Sequence, residues 1–280
     1  MNLTSSLSFN IYHPIQIIRH LWQYRHLIRL LCRREFQASY RGAMLGVGWT
    51  IIQPLLMLGV YTFVFAVIFK GRWGVGDADE SRATFALVLF LGLITFHIIS
   101  EMMASSSQLV VGNSAFVKKV LFPLEILPVV RLIRILIDVL ISLLVLAAGI
   151  LFFRQPIFSG AWLLPVIWLP VVVLSLAVGY ILATLGVFIR DVGQLSGILT
   201  TLLFFTSAIF YPIHVVPASY QFLFRMNPIA VFVDFSRNAV FHGVMPDWTC
   251  YTVWLAAAIL MWMLGYSFFM ASKQAFSDVV

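Results

Sequence analysis

Residues 33–54 read RREFQASYRGAMLGVGWTIIQP. A cluster of arginines gives way to three glycines, then to a tryptophan and the start of a long apolar run. Six arginines (Arg19, Arg25, Arg29, Arg33, Arg34, Arg41) and no lysine precede that run. The chain has a mean hydropathy of +0.99, and its residues are 61% hydrophobic and 10% charged. That is too apolar for one water-soluble core, so a cationic cluster abutting an apolar run marks the edge of an integral membrane protein. The formal net charge of +7 is explained by anionic lipid and by orientation rather than by nucleic acid, since no basic segment stands clear of the apolar spans.

Crossing about 30 Å of hydrocarbon takes roughly 20 helical residues. Six apolar segments qualify, near 49–69, 84–104, 129–152, 161–188, 194–211 and 248–271. The expected fold is therefore all-α: a polytopic six-helix transmembrane domain over 48–272, preceded by an interfacial region over 1–47 and followed by a tail over 273–280. With both termini cytoplasmic, twelve Lys and Arg lie inside and six outside, which sets the orientation in the cytoplasmic (inner) membrane. Cys32 and Cys250 then fall on opposite faces, so no disulfide within the chain is expected. No apolar stretch with a small-residue cleavage site opens the chain, so the first span serves as the targeting signal.

Upstream of the quoted stretch, Tyr24, Leu27, Ile28 and Leu31 recur at i, i+3, i+4, i+7, while Arg25, Arg29 and Arg33 form a second stripe. The pattern describes a helix lying among lipid headgroups, with Arg25, Arg29, Arg33, Arg34 and Arg41 against phosphates; the alternative is a helix packed on the rest of the protein. The apolar stripe of Ile15 to Trp22 is rotated relative to the next, predicting a bend near residue 23. Gly42, Gly46 and Gly48 allow the turn into the first span, where Trp49 is an aromatic anchor.

Residues 105–128, SSSQLVVGNSAFVKKVLFPLEILP, are too polar to cross. Asn113 or Ser114 can cap a short helix, and Pro123 and Pro128 bracket LEIL. A short helix offered to a cytosolic partner and a plain connecting loop both fit. Residues 212–247 hold two short apolar pieces, 217–226 and 228–241, each opened by proline. Asn227 precedes Pro228 as a cap, and Asp234, Arg237, Asn238 and Phe241 share a face. Fourteen residues reach about 21 Å, too short to span, so an external re-entrant hairpin is expected, with Asn227, Pro228, Asp234 and Arg237 at the exit. No inverted internal repeat is apparent.

Catalytic signals are sparse: there is no G-x-x-x-x-G-K-[ST], H-E-x-x-H or G-x-S-x-G, and the six histidines show no ligand spacing, so no metal is expected. His97 and Glu101, four apart, read as a satisfied polar contact or an acid/base pair. Asp138 in the third span requires a partner, and Arg134, with Arg131 nearby, is within helical reach; a proton-coupling carboxylate is the other reading. Two stripes could line a pathway: Thr50, Gln53, Met57, Tyr61 and Phe65 in the first span, and Thr200, Phe204, Ser207 and Tyr211 in the fifth. Hydroxyl, amide and aromatic groups together suit sugar, though helix packing also gathers small and polar residues.

Four stretches, EFQASYRGAMLGVGWTIIQPL, FVKKVLFPLEILP, FIRDVGQLSGILTTLLFFTSAIFYPIHVVP and NPIAVFVDFSRNAVF, resemble the membrane subunits of ABC exporters for lipid-linked polysaccharides such as O-antigen, capsule and teichoic acid. Ala43 stands where serine is expected, and Leu124 where a basic residue is common. The resemblance implies a permease without its own ATPase, paired with a second copy of itself and two P-loop ATPase subunits that carry ATP and Mg. It implies that Asn113, Ser114, Phe116, Val117, Lys118, Lys119, Phe122 and Pro123 contact the ATPase. It also implies that spans one and five border a conduit for undecaprenyl-linked glycan. A drug exporter of the same architecture, a membrane enzyme acting on polyprenyl-linked sugars and a proton-driven transporter are the competing classes.

Overall fold

The computed structural model describes residues 13–39, 44–64, 82–117, 122–156, 158–211 and 213–279. Every regular element among them is helical. The amino-terminal region forms α1 (Pro14–Gln23) and α2 (Arg25–Ser39). Pro14 occupies the first turn of α1, where its missing N–H costs nothing. The break falls at Tyr24, where the rotation of the apolar stripe places it.

Gly46, at a φ of +49°, opens a short 3₁₀ turn, Gly46–Gly48, that leads into α3 (Trp49–Tyr61). Next come α4 (Arg82–Ser106), the single turn α5 (Ser114–Val117) and α6 (Leu127–Phe152). Pro128 sits in the first turn of α6, and Leu124–Ile126 form the 3₁₀ turn before it. A proline-punctuated turn α7 (Leu164–Ile167) precedes α8 (Leu169–Phe188), and α9 (Val192–Thr206) follows. Then come α10 (Ala218–Arg225), α11 (Pro228–Arg237), α12 (Trp248–Ser272) and the closing turn α13 (Phe276–Val279). Asp247 caps α12 by accepting from the backbone N–H of Thr249 at 2.9 Å and of Cys250 at 3.4 Å.

Among the described residues, four helical stretches are long and apolar enough to cross a membrane: Thr84–Ser106, Leu124–Phe152, Ser159–Phe188 and Trp248–Val279. Two further apolar helices, Trp49–Val64 and Val192–Thr206, are shorter. The chain is thus a multi-pass membrane protein, with α4 as its interior helix. Leu87, Leu89, Leu91, Ile98 and Met102 of α4 are fully buried against α6, α8, α9 and α11. Outward faces carry apolar side chains such as Leu140, Leu144 and Leu151 of α6, or Val253, Leu260 and Leu264 of α12, as a hydrocarbon solvent demands.

The first described helix and the residues just after α12 meet at Glu125. His20 Nε2 of α1 lies 3.0 Å from Glu125 Oε1, and Lys273 Nζ, just past α12, donates to Glu125 Oε2 at 2.6 Å. A second apolar cluster surrounds this point, drawing Ile17 and Leu21 from α1, Leu31 and Cys32 from α2, Tyr180 from α8 and Phe276 from α13.

Candidate functional site

A cleft of about 530 Å³ opens between α3, α4 and α6. Thr50, Gln53, Met57 and Tyr61 of α3 line one side, so four members of the first-span stripe share one wall; Phe65 lies outside the described residues. The opposite wall carries Phe90, Phe96, His97, Ser100 and Glu101 of α4, and α6 adds Arg134, Asp138 and Ser142. Phe204 of α9 reaches the same space and meets Phe96 ring to ring at 5.3 Å.

The polar groups weighed separately in the sequence, His97, Glu101, Arg134 and Asp138, lie together along this cleft. Arg134 pairs with Asp138 one helical turn on. Glu101 does not pair with His97 along its own helix; it accepts from Arg131 NH2 on α6 at 2.7 Å, and Arg131 Nε donates to Ser105 Oγ at 2.8 Å. A guanidinium offers five donors to an acceptor-only carboxylate, whereas an imidazole in the same helix offers at most one in that direction. Arg134 also stacks over the Phe36 ring of α2, at 4.8 Å. The arginines are the more hidden partners: Arg131 and Arg134 side chains are 24% and 7% exposed, against 37% for Glu101 and 29% for Asp138. Glu101 and Asp138 line the cleft together with Arg134, and each carboxylate is the more exposed member of its pair. Behind them, burial pushes the Glu35 carboxyl of α2 above the usual carboxylate range, against the opposing pull of Arg131 and Arg134.

The fifth-span stripe does not form one face. Thr200 donates to Ser196 O at 2.7 Å, Ser207 donates to Leu203 O at 2.5 Å and is buried, and α9 ends at Thr206. Only Phe204 of the four reaches the cleft. Ala208 takes a left-handed φ of 50°, which breaks the helical periodicity before Tyr211. Tyr211 instead donates to Phe205 O at 2.7 Å and packs against Phe224 of α10.

What stops α9 is the segment expected to be an external hairpin. Asn227 caps α11 by accepting from Ile229 N at 3.0 Å, with Pro228 in the first turn. Its Nδ2 donates to Thr206 O at 3.1 Å. Arg237, buried at 2% exposure, donates from Nε to Val88 O at 3.1 Å, from NH1 to Ala208 O at 2.7 Å and from NH2 to Ile209 O at 2.5 Å. A cation thus sits on the carbonyl-rich end of α9, where the helix dipole favours it. Asp234 accepts from Asn238 Nδ2 at 3.0 Å. Trp168 Nε1 adds bonds to Thr95 Oγ1 (3.2 Å) and Ser236 Oγ (3.0 Å), tying α11 to α4.

Near the chain termini, α5 begins at Ser114 as the expected short helix, but Asn113 does not cap it: its Nδ2 donates back to Leu109 O at 2.9 Å. Phe116 stacks on Phe122 at 4.3 Å, and the Arg34 guanidinium of α2 lies 5.5 Å over the Phe116 ring. Val117 is buried, Pro123 precedes the Leu124–Ile126 turn, and Lys118, Lys119 and Arg41 lie outside the described residues. Arg25, Arg29, Arg33 and Arg34 are exposed, as is Trp49, while Leu31 and Cys32 are buried toward α6 and Cys32 Sγ approaches Val130 O at 3.8 Å. The apolar stripe of α2 therefore packs on protein, and the exposed apolar groups of this region are Ile15, Ile18 and Trp22 of α1 and Leu30 of α2. Burial and Glu35 nearby push the Cys32 thiol up to about 11.

Residues 26–241, which hold both walls of the cleft, α5 and the α11 grip on α9, match the family model of the ABC-2 type transporter. The chain belongs to the ABC-2 type transporter family. The O-antigen export system permease protein RfbA of Myxococcus xanthus is 26% identical to this ABC-2 chain, over 95% of this chain and 100% of the relative. A protein of the same name from Klebsiella pneumoniae is 21% identical, over 91% and 95% of the two chains. The polysialic acid transport protein KpsM of Escherichia coli is 23% identical, over 89% and 94%.

Sequence reasoning passed over Glu125, which draws in both ends of this ABC-2 chain. Its signal was present: an acid inside LFPLEILPVV, at the threshold of a span, is expensive without partners.

Proposed function

We propose that this chain is the membrane subunit of an ATP-driven exporter that carries lipid-linked polysaccharide, of the O-antigen or capsule kind, across the cytoplasmic membrane. The observation that carries the reading is the likeness to export permeases end to end: it spans 95% of this chain and all of the Myxococcus relative, including the cleft residues. The cleft suits such a cargo. Carboxylate oxygens of Glu101 and Asp138 accept from sugar hydroxyls, Gln53 both donates and accepts, and Tyr61, Phe90 and Phe204 offer flat faces to pyranose rings.

Six crossings, the four long apolar helices together with the shorter α3 and α9, return the carboxyl terminus to the side of the amino terminus. The shared hold of His20 and Lys273 on Glu125 supports that even number. Both termini are cytoplasmic on this reading. Beside the cleft wall, α3 carries the exposed apolar side chains of Ile51, Leu55, Leu56 and Val60, against which a second copy of the chain packs to complete the conduit. Two P-loop ATPase subunits dock at residues 113–123 and supply ATP and Mg. The exposed arginines of α2 lie toward anionic headgroups, and the α10–α11 segment stands at the exit.

Purification with the products of neighbouring genes tests the reading. A P-loop ATPase should co-purify, and replacing Lys118 and Phe122 by alanine should abolish surface glycan while the chain remains in the membrane. Unaltered surface polysaccharide in cells lacking the gene, together with new sensitivity to a small molecule, would favour the drug-exporter class instead.

A further inference from the structure

Glu125 lies two residues beyond Pro123, at the end of the segment assigned to the ATPase, and its side chain is 3% exposed. Three distant parts of the chain converge on it. His20 Nε2 of α1 is 3.0 Å from Oε1, Lys273 Nζ donates to Oε2 at 2.6 Å, and Tyr180 of α8 donates its hydroxyl to the Glu125 backbone carbonyl at 2.8 Å. Apolar contacts follow the same lines: Val117 of α5, Ile17 and Leu21 of α1 and Phe276 of α13 belong to one buried cluster. Phe276 meets Phe269 of α12 at 5.2 Å and Phe188 of α8 at 6.0 Å, so the tail after the last span is packed down.

Packing alone does not require a carboxylate here. A leucine would fill similar space without the cost of desolvating an ion, and a buried ion kept at that cost favours one arrangement of its partners over others. Its partners here are the amino-terminal helix and the carboxyl-terminal tail, the two pieces of chain that no covalent neighbour holds against the ATPase-facing segment. We propose that Glu125 is a positioning residue for energy coupling: it locks α1, the Leu124–Ile126 turn that follows the ATPase-facing segment and the tail after α12 into one body. A push on that segment is then delivered to α1 at the membrane surface and to the last span, instead of being absorbed by loop motion. Without the lock, nucleotide would be hydrolysed and little work transmitted.

The inference rests on the reading of residues 113–123 as the ATPase contact, and the experiment separates the two. The chain is co-expressed with the P-loop subunit that purifies with it, reconstituted in vesicles, and both ATP hydrolysis and glycan export are measured. Lys273→Met is informative because Lys273 is 29% exposed, so its loss is tolerable to folding. In Lys273→Met and Glu125→Gln, hydrolysis should stay within about twofold of wild type while export per ATP falls about tenfold, a usual size for coupling between sites. Lys273→Arg keeps the charge and a donor to Glu125, and should recover most of the ratio. An unchanged export-to-hydrolysis ratio in Lys273→Met, or equal loss in Lys273→Arg and Lys273→Met, overturns the proposal while leaving the exporter reading intact. Failure of any P-loop subunit to co-purify overturns both.

Discussion

Replacing Arg237 by methionine removes the grip of α11 on the end of α9 while preserving side-chain length. In the wild type the guanidinium donates to Val88 O (3.1 Å), Ala208 O (2.7 Å) and Ile209 O (2.5 Å). Val88 O lies within a helix, so the two carbonyls that lose most are those past the end of α9. A buried acceptor left without its donor costs about 1–3 kcal/mol. Two of them, offset by the relief of no longer burying a cation, give a net loss of about 3 kcal/mol. At roughly 2–4 °C per kcal/mol for a chain of this size, the unfolding midpoint in detergent should drop by roughly 10 °C. Unfolding of such proteins is commonly irreversible, so variants are compared at one scan rate. Arg225→Met, at an exposed position one helix earlier, is the control and should move the midpoint little. Gly92 offers a check from the opposite side, because a Cβ there would fall on the Arg237 guanidinium. Gly92→Ala should therefore destabilise the wild type but be tolerated once residue 237 is methionine, a non-additive pair of the kind expected for groups in contact. A midpoint for Arg237→Met within about 2 °C of wild type, or full additivity with Gly92→Ala, would refute the capping argument.

Other outcomes follow from the same geometry. Asn227→Ala loses both the α11 cap and the bond to Thr206 O, and should cost about 1–2 kcal/mol in unfolding experiments. Asp138→Asn leaves the 7%-exposed Arg134 beside a neutral amide and should lower the midpoint, yet ATP-driven export by the wild type should persist when the proton gradient is collapsed. Loss of export on collapsing the gradient would revive the proton-driven class. With its thiol pushed up to about 11, Cys32 is about 0.1% thiolate at pH 8, so iodoacetamide should modify it about a hundredfold more slowly than an ordinary thiol until the protein is denatured.

The helical class, the break near residue 23, the Asn227–Pro228 cap and the Arg134–Asp138 pair were legible in the sequence because each depends on residues within about a turn of one another. The first-span stripe was legible for a similar reason: α3 keeps its helical period through Tyr61. The fifth-span stripe was not, because α9 is stopped by groups 20 or more residues away, and nothing in FFTSAIFY announces that Asn227 will take its last carbonyl and Arg237 the carbonyls of Ala208 and Ile209 just past it. Likewise the switch of Glu101 from His97 to Arg131 is a contact between α4 and α6, invisible to i, i+4 counting. The packing of the α2 stripe on protein was left open by amphipathicity, since a helix apolar on one face suits lipid and protein equally.

These failures of local reading share one physical cause. In hydrocarbon, apolar side chains gain little by choosing a neighbouring helix over lipid, so the apolar pattern says which segments enter the membrane and little about which touch. Choice among arrangements falls to groups that lipid cannot satisfy. Among the described residues such groups include three knots joining remote segments: Glu125 with His20 and Lys273, Glu101 with Arg131, and Arg237 with the residues just past α9. The first ties α1 and the tail to the turn before α6, the second ties α4 to the α6 wall of the cleft, and the third ties α11 to α4 and to the residues after α9. A permease that changes shape without unfolding requires such joints, stiff within each body and few between bodies. Replacing Glu101 and Arg131 together by apolar residues of similar volume should therefore leave insertion and thermal stability nearly intact while export fails, whereas removing Glu101 alone, which strands the Arg131 guanidinium, should damage both.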